Sequence, residues 1–173
     1  DGASLTGENP AVRADEKVAG LPSYTGSYVP ASVGEYEVRV TQLVQGGLGA
    51  QYWDNQWMLG APSVERVDPT VSFDWGVGAV TTFARDYVSA RWTGKLRAST
   101  SETYTLYVLA DDGARLYVDH ELVVDTWDSP VAEKRAHVAL VAGTFHDIVL
   151  EWKEETGSAS VFLEYSSFST RRQ

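Results

Sequence analysis

Tyr104-Thr105-Leu106-Tyr107-Val108-Leu109-Ala110-Asp111-Asp112-Gly113-Ala114-Arg115-Leu116-Tyr117-Val118 is the stretch on which the fold turns. Its first seven residues are aromatic, β-branched or aliphatic and alternate in the period-2 sense, which predicts a half-buried strand. Asp-Asp-Gly breaks that strand, and Arg115 to Val118 starts another. The chain then turns at Asp119-His120 and resumes as Leu122-Val123-Val124. Downstream, Ala136, Val138 and Leu140 begin a further strand. Phe145 to Trp152 and Ala159 to Tyr165 close the set, joined by the polar loop Lys153-Glu154-Glu155-Thr156-Gly157-Ser158. Upstream, Leu48, Ala50 and Tyr52 share one face, Val71, Phe73 and Trp75 another, and Val88, Ala90, Trp92 and Leu96 a third. Short strands separated by Gly- and Asp-bearing turns, with almost no helical periodicity, predict an all-β fold, an antiparallel β-sandwich or barrel.

Composition supports one ordinary domain with an arm. The chain has 173 residues, of which 43% are hydrophobic, including six Trp, nine Tyr and five Phe, enough material for a core. No apolar run approaches the ~18 residues of a membrane span. Fourteen Lys and Arg against 24 Asp and Glu leave a net charge of −10. Such a surface repels a duplex or an anionic bilayer and attracts cations, so neither nucleic acid nor membrane is an expected partner. The absence of cysteine removes disulfides, thiol nucleophiles and Zn–Cys sites together. The opening Asp1-Gly2-Ala3-Ser4 has neither a basic nor an apolar leader region, so the chain is expected to be a piece of something longer.

The first ~20 residues are poor in large apolar groups and read as an arm. Tyr24-Thr25-Gly26-Ser27-Tyr28-Val29-Pro30, followed by Gly34-Glu35-Tyr36-Glu37-Val38-Arg39-Val40, resembles the last two strands of a filamin-type Ig-like repeat. The expected division is therefore 1–45 as an arm or the tail of a preceding repeat, 46–168 as a β-sandwich domain, and 169–173 as a tail.

The chemistry-bearing residues are few. His120, His137 and His146 are far apart in sequence, and none has a partner at metal-ligand spacing. There is no Gly-x-Ser-x-Gly elbow, phosphate-cradling loop or basic cluster beyond Arg171-Arg172, so no enzymatic activity is expected. Asp111-Asp112-Gly113 stands out because it presents two adjacent carboxylates at the end of a strand. Two readings remain open: a plain hairpin turn with Gly113 at positive φ, or a Ca²⁺ site, since that ion takes ~6–8 hard oxygen ligands.

Gly47-Leu48-Gly49-Ala50-Gln51-Tyr52-Trp53, then Val88-Ser89-Ala90-Arg91-Trp92-Thr93-Gly94, then Tyr104 to Asp119, then Val123-Val124-Asp125-Thr126-Trp127 occur in an order that resembles the PA14 domain. The resemblance implies an antiparallel β-sandwich. It also implies that Asp111 and Asp112 are joined by a cis peptide and grip one Ca²⁺, whose open face takes hydroxyls of a terminal hexose. The second loop of such a site corresponds to Glu154-Glu155-Thr156-Gly157-Ser158. Yeast adhesins use an Asn there, and this chain has none. Glu155 or Glu154 would supply a carboxylate, with Thr156, Gly157 and Ser158 offering carbonyls. The metal set expected is thus Asp111, Asp112, Glu155, Thr156, Gly157 and Ser158; the sugar set is Asp111, Asp112, Trp127, Asp128 and Glu154. Trp127 is weighed as a stacking platform against core packing. Trp53-Asp54-Asn55-Gln56-Trp57 either lines a pocket or caps the sandwich edge, while Trp75, Trp92 and Trp152 read as core. The function implied is calcium-dependent carbohydrate binding by a monomeric module of an extracellular adhesin or cell-surface protein. A spacer domain or an accessory domain of a glycosidase is the alternative.

Overall fold

A computed structural model describes residues 13–18, 21–25, 32–35, 45–129 and 131–173. The chain divides into two compact units, Asp1–Leu43 and Val44–Gln173. In the first, β1 (Arg13–Val18) pairs antiparallel with β2 (Leu21–Thr25). β1 lies in the stretch that composition reads as arm; a backbone ladder of this kind needs no large side chains. The expected strand over 36–40 and most of the Ig-like motif lie outside the described residues.

The second unit is an antiparallel β-sandwich. One sheet has four strands in the order β10-β7-β12-β5: Lys134–Leu140, Glu102–Asp111, Ala159–Ser166 and Ser72–Gly76. The other has six, β4-β3-β6-β11-β8-β9: Val64–Asp68, Leu48–Trp53, Val88–Arg97, Phe145–Glu154, Gly113–Val118 and Glu121–Asp125. Every expected strand from Leu48 onward is present. β4 is additional. It is an edge strand with only Asp68 buried, so its apolar content is too sparse to give a period-2 signal.

Alternation becomes packing along each strand. Tyr104, Leu106, Val108 and Ala110 of β7 are buried, as are Leu116 and Val118 of β8 and Ile148, Leu150 and Trp152 of β11. Each large apolar side chain so enclosed contributes ~1.5–3 kcal/mol. Trp92 and Trp152 are fully enclosed, while Trp75 is half-buried and stacks on Trp152 at a centroid distance of 5.2 Å. Phe73 stacks on Trp75 at 4.9 Å. Trp53 is buried too, its indole N–H donating to the Gly60 carbonyl at 3.0 Å.

One buried carboxylate ties the edge to the centre. Asp68 Oδ2 accepts from the Tyr52 hydroxyl at 2.6 Å and from the Trp92 indole at 2.8 Å, while Oδ1 accepts from Arg66 Nε at 2.6 Å. Burial, then the Asp68 contact, pushes the Tyr52 hydroxyl well above the usual phenol range, so it remains a donor. Asp68→Ala would leave the tyrosine and tryptophan donors buried without an acceptor, at about 2–4 kcal/mol. Urea unfolding should show that loss; a variant as stable as wild type would mean water replaces the carboxylate.

Candidate functional site

Strand register brings five connections to one end of the six-stranded sheet. Trp53 of β3 faces Ser89 of β6, Val88 of β6 faces Glu154 of β11, and Lys153 of β11 faces Gly113 of β8. The loop after Trp53, the loop before Val88, Asp111-Asp112, the loop after Asp125 and the loop after Glu154 therefore emerge side by side. Four of them carry the chain from one sheet to the other. Asp111-Asp112-Gly113 is one of these, and the hairpin reading of it is corrected: β7 and β8 belong to different sheets and do not pair.

The Asp111–Asp112 peptide bond is cis. The Asp111 carbonyl accepts the Trp152 indole N–H at 2.9 Å, and the Asp112 N–H donates to the Lys153 carbonyl at 3.2 Å. Gly113 is required for space, not for positive φ. A Cβ there would lie 2.3 Å from the Trp127 carbonyl oxygen. That carbonyl is held close because buried Thr126 clamps Ala114: its N–H and hydroxyl donate to the Ala114 carbonyl at 2.8 and 3.1 Å.

Three carboxylates meet at this rim. One oxygen from each of Asp111, Asp112 and Glu154 lies within 4.8 Å of the others. Asp112 Oδ2 accepts the Glu155 N–H at 2.6 Å, which fixes the second loop against the first. Glu154 is 0% exposed, and neither of its carboxylate oxygens has a hydrogen-bond partner among the described residues. Burial, with the charges of Asp112, Asp111, Asp86 and Glu155 added, pushes its carboxyl up to about 8. Burial and then Asp112 raise Asp111 as well.

Glu154, expected to touch sugar, stands with the aspartates; the side chain of Glu155, expected to hold metal, accepts from Lys153 Nζ at 3.1 Å. The signal was present in the sequence, since Ile148, Leu150 and Trp152 point inward and the next residue of that series is Glu154. Lys153 also donates to Asp128 at 3.2 Å. Burial works against its charge, but Glu155 and Asp128 outweigh burial and hold the ammonium above its usual range. Trp127 is half-buried, with Arg115 Cζ at 4.7 Å and Lys153 Nζ at 5.3 Å from its ring centre, so it is neither core nor a bare platform. Thr156, Gly157 and Ser158 are exposed at the rim. Asp86, which sequence reading passed over, shapes this loop: its Oδ1 accepts the Gly157 N–H at 3.2 Å.

This donor set is all oxygen and anionic, which suits a hard divalent cation such as Ca²⁺. The Lys153 ammonium already serves Asp128 and Glu155.

The sequence pattern of the PA14 domain matches residues 44–171. Anti-sigma-I factor RsgI3 of Acetivibrio thermocellus is 40% identical over 129 residues, 73% of this chain and 20% of that protein. A solved anti-sigma factor domain-containing protein from Clostridium clariflavum is 42% identical with a TM-score of 0.69, covering 73% of this chain and 44% of that one. The Epithelial Adhesin 9 A domain of Candida glabrata, solved with Galβ1-4GlcNAc, aligns with a TM-score of 0.60 over 75% of this chain and 85% of its own. At 11% identity that likeness shows the fold alone. The chain spans about a fifth of the curated relative and under half of the solved anti-sigma chain.

A raised carboxyl has a definite pH signature. The stability Glu154 contributes is complete below its unfolded value of 4.5 and is lost as pH rises toward about 8. In chelator, the melting temperature should fall between those limits, by roughly 10 °C. Glu154→Gln should flatten that slope; an unchanged slope in the variant would place the titration elsewhere. Gly113→Ala should cost at least ~2 kcal/mol, because the backbone of Trp127 must move, and thermal melts would register it.

Proposed function

This chain belongs to the PA14 domain family, and on that footing we propose that it is a non-catalytic, calcium-dependent carbohydrate-binding module of a longer chain displayed outside the cell. The observation that carries the proposal is the Glu154 carboxyl, buried with no donor among the described residues beside Asp111 and Asp112. A buried carboxyl without partners is costly whether protonated or ionised, and two further acids beside it make ionisation costlier until a cation binds. Asp111, Asp112 and Glu154 would hold Ca²⁺ through carboxylate oxygens, with carbonyls of Glu155 to Ser158 completing the shell. The ion, once bound, neutralises these carboxylates and offers coordination positions to vicinal hydroxyls of a sugar. Asp111 and Asp112 accept hydrogen bonds from those hydroxyls. Lys153 steadies Asp128 and Glu155 beside them. A ligand held mainly through hydroxyls contacts little protein, so affinity per site is weak, ~0.1–10 mM, and gains from multivalent display.

The relatives named as anti-sigma factors support a second element of the reading. At about 40% identity they favour a regulatory chain over an adhesin, with the sugar acting as a signal rather than an attachment point.

Calcium titrated into chelated protein should raise the melting temperature, following RT ln(1 + [L]/Kd). A glycan array probed with and without chelator should give signals that require calcium. Asp112→Ala should abolish both responses while the fold, checked by circular dichroism, persists. Indifference to millimolar calcium would leave a spacer domain as the better account.

A further inference from the structure

The metal-side rim carries large apolar side chains that packing does not explain. Trp57 is 68% exposed, Phe83 84% and Tyr87 57%. They sit on the loops following β3 and preceding β6, both of which emerge beside the carboxylate cluster. Exposed single apolar residues are ordinary; three aromatics on neighbouring loops at one end of a sandwich are not.

These loops are held in place by hydrogen bonds that reach the site itself. The Tyr87 N–H donates to the Glu155 carbonyl at 2.8 Å, and Gln56 Nε2 donates to the Glu154 carbonyl at 3.3 Å. Ser89 Oγ donates to the Asn55 carbonyl at 2.6 Å. Asn55 organises its own loop: its Oδ1 accepts the N–H groups of Trp57 and Leu59 at 3.1 and 3.0 Å. Thr81 joins the two loops by donating to Asp54 Oδ1 at 2.6 Å. Tyr87 has φ of 53°, an uncommon conformation for a bulky residue, and the bond to Glu155 secures it. The aromatic side chains are thus presented on ordered backbone, with little left to fix when a ligand arrives.

Their order along the rim follows the sheet. β11 bears Glu154, β6 adjoins it and follows Tyr87, and β3 comes next and precedes Trp57. Adjacent strands are ~4.8 Å apart, so the two aromatic loops begin about 5 and 10 Å along the rim from the carboxylates. That is the scale of successive rings in a sugar chain. Aromatic rings suit the apolar faces of pyranoses, while the net charge of −10 disfavours a polyanionic chain.

We propose that Tyr87 and Trp57 form subsites continuous with the carboxylate cluster, so that the ligand is a run of several units of a neutral polysaccharide rather than a single terminal sugar. This rests on the calcium-dependent sugar reading above. The test uses the 173-residue chain with neutral gluco-, xylo-, galacto- and manno-oligosaccharides of one to six units, in calcium and in chelator, by calorimetry. Wild type should gain at least tenfold in affinity between one unit and four, and Tyr87→Ala and Trp57→Ala should each lose most of that gain. Calcium affinity, titrated with the metal alone, should be unchanged in both variants. Calcium-dependent binding that is flat with chain length, or a full gain retained in both variants, overturns this proposal alone. No calcium-dependent binding at any length overturns the sugar reading and the subsites with it. A wild-type dimer in sedimentation that Trp57→Ala dissolves would assign the aromatics to self-association instead.

Discussion

A carboxyl group with no exposure and no donor among the described residues, facing two more carboxyls, sets the terms for the whole acidic rim. Ordinary protein interiors satisfy such a group or do without it. Here three backbone groups around it are engaged: Trp152 holds the Asp111 carbonyl, Lys153 holds the Asp112 N–H, and Asp112 holds the Glu155 N–H. These backbone groups are satisfied, while the carboxyl at their centre has no partner among the described residues. The proton taken up by Glu154 is one way to relieve that imbalance, and a divalent cation is the other.

The sandwich can maintain this arrangement because its energetic weight lies elsewhere. Trp92 and Trp152 lie at the middle of the six-stranded sheet, Trp75 and Phe73 stack onto them, and Asp68 ties Tyr52, Arg66 and Trp92 together. Trp152 takes part in both regions, its ring in the core and its N–H on the Asp111 carbonyl. A rigid core thus extends by one hydrogen bond into the acidic rim. Around that rim, Asp86, Gln56 and Tyr87 bind the second loop through its backbone.

Much of this was legible in the residues. Period-2 alternation located every strand from Leu48 to Tyr165 except β4, whose exposed edge position leaves no apolar face to read. Two adjacent acids followed by glycine marked the rim, and the order of motifs pointed to the family. The assignment of turn type was not legible, because a hairpin and a sheet-to-sheet crossing use the same residue types. Gly113 looked like a turn glycine, yet it serves the close approach of Trp127. Glu154 and Glu155 could be told apart only by extending the inward series of β11 one step past its last hydrophobic residue.

Local periodicity depends on neighbours one and two positions apart, so the chain by itself determined its strands, its inward faces and its acidic breaks. Which breaks meet depends on register between strands that lie far apart in sequence. Asp111 and Glu154 are brought together because β8 and β6 both flank β11, and because the chain changes sheets at that end of the sandwich. The tertiary structure therefore decided that three carboxylates from separate segments form one cluster, that two further loops emerge beside it, and that the neighbouring Lys153 ammonium is engaged by Asp128 and Glu155.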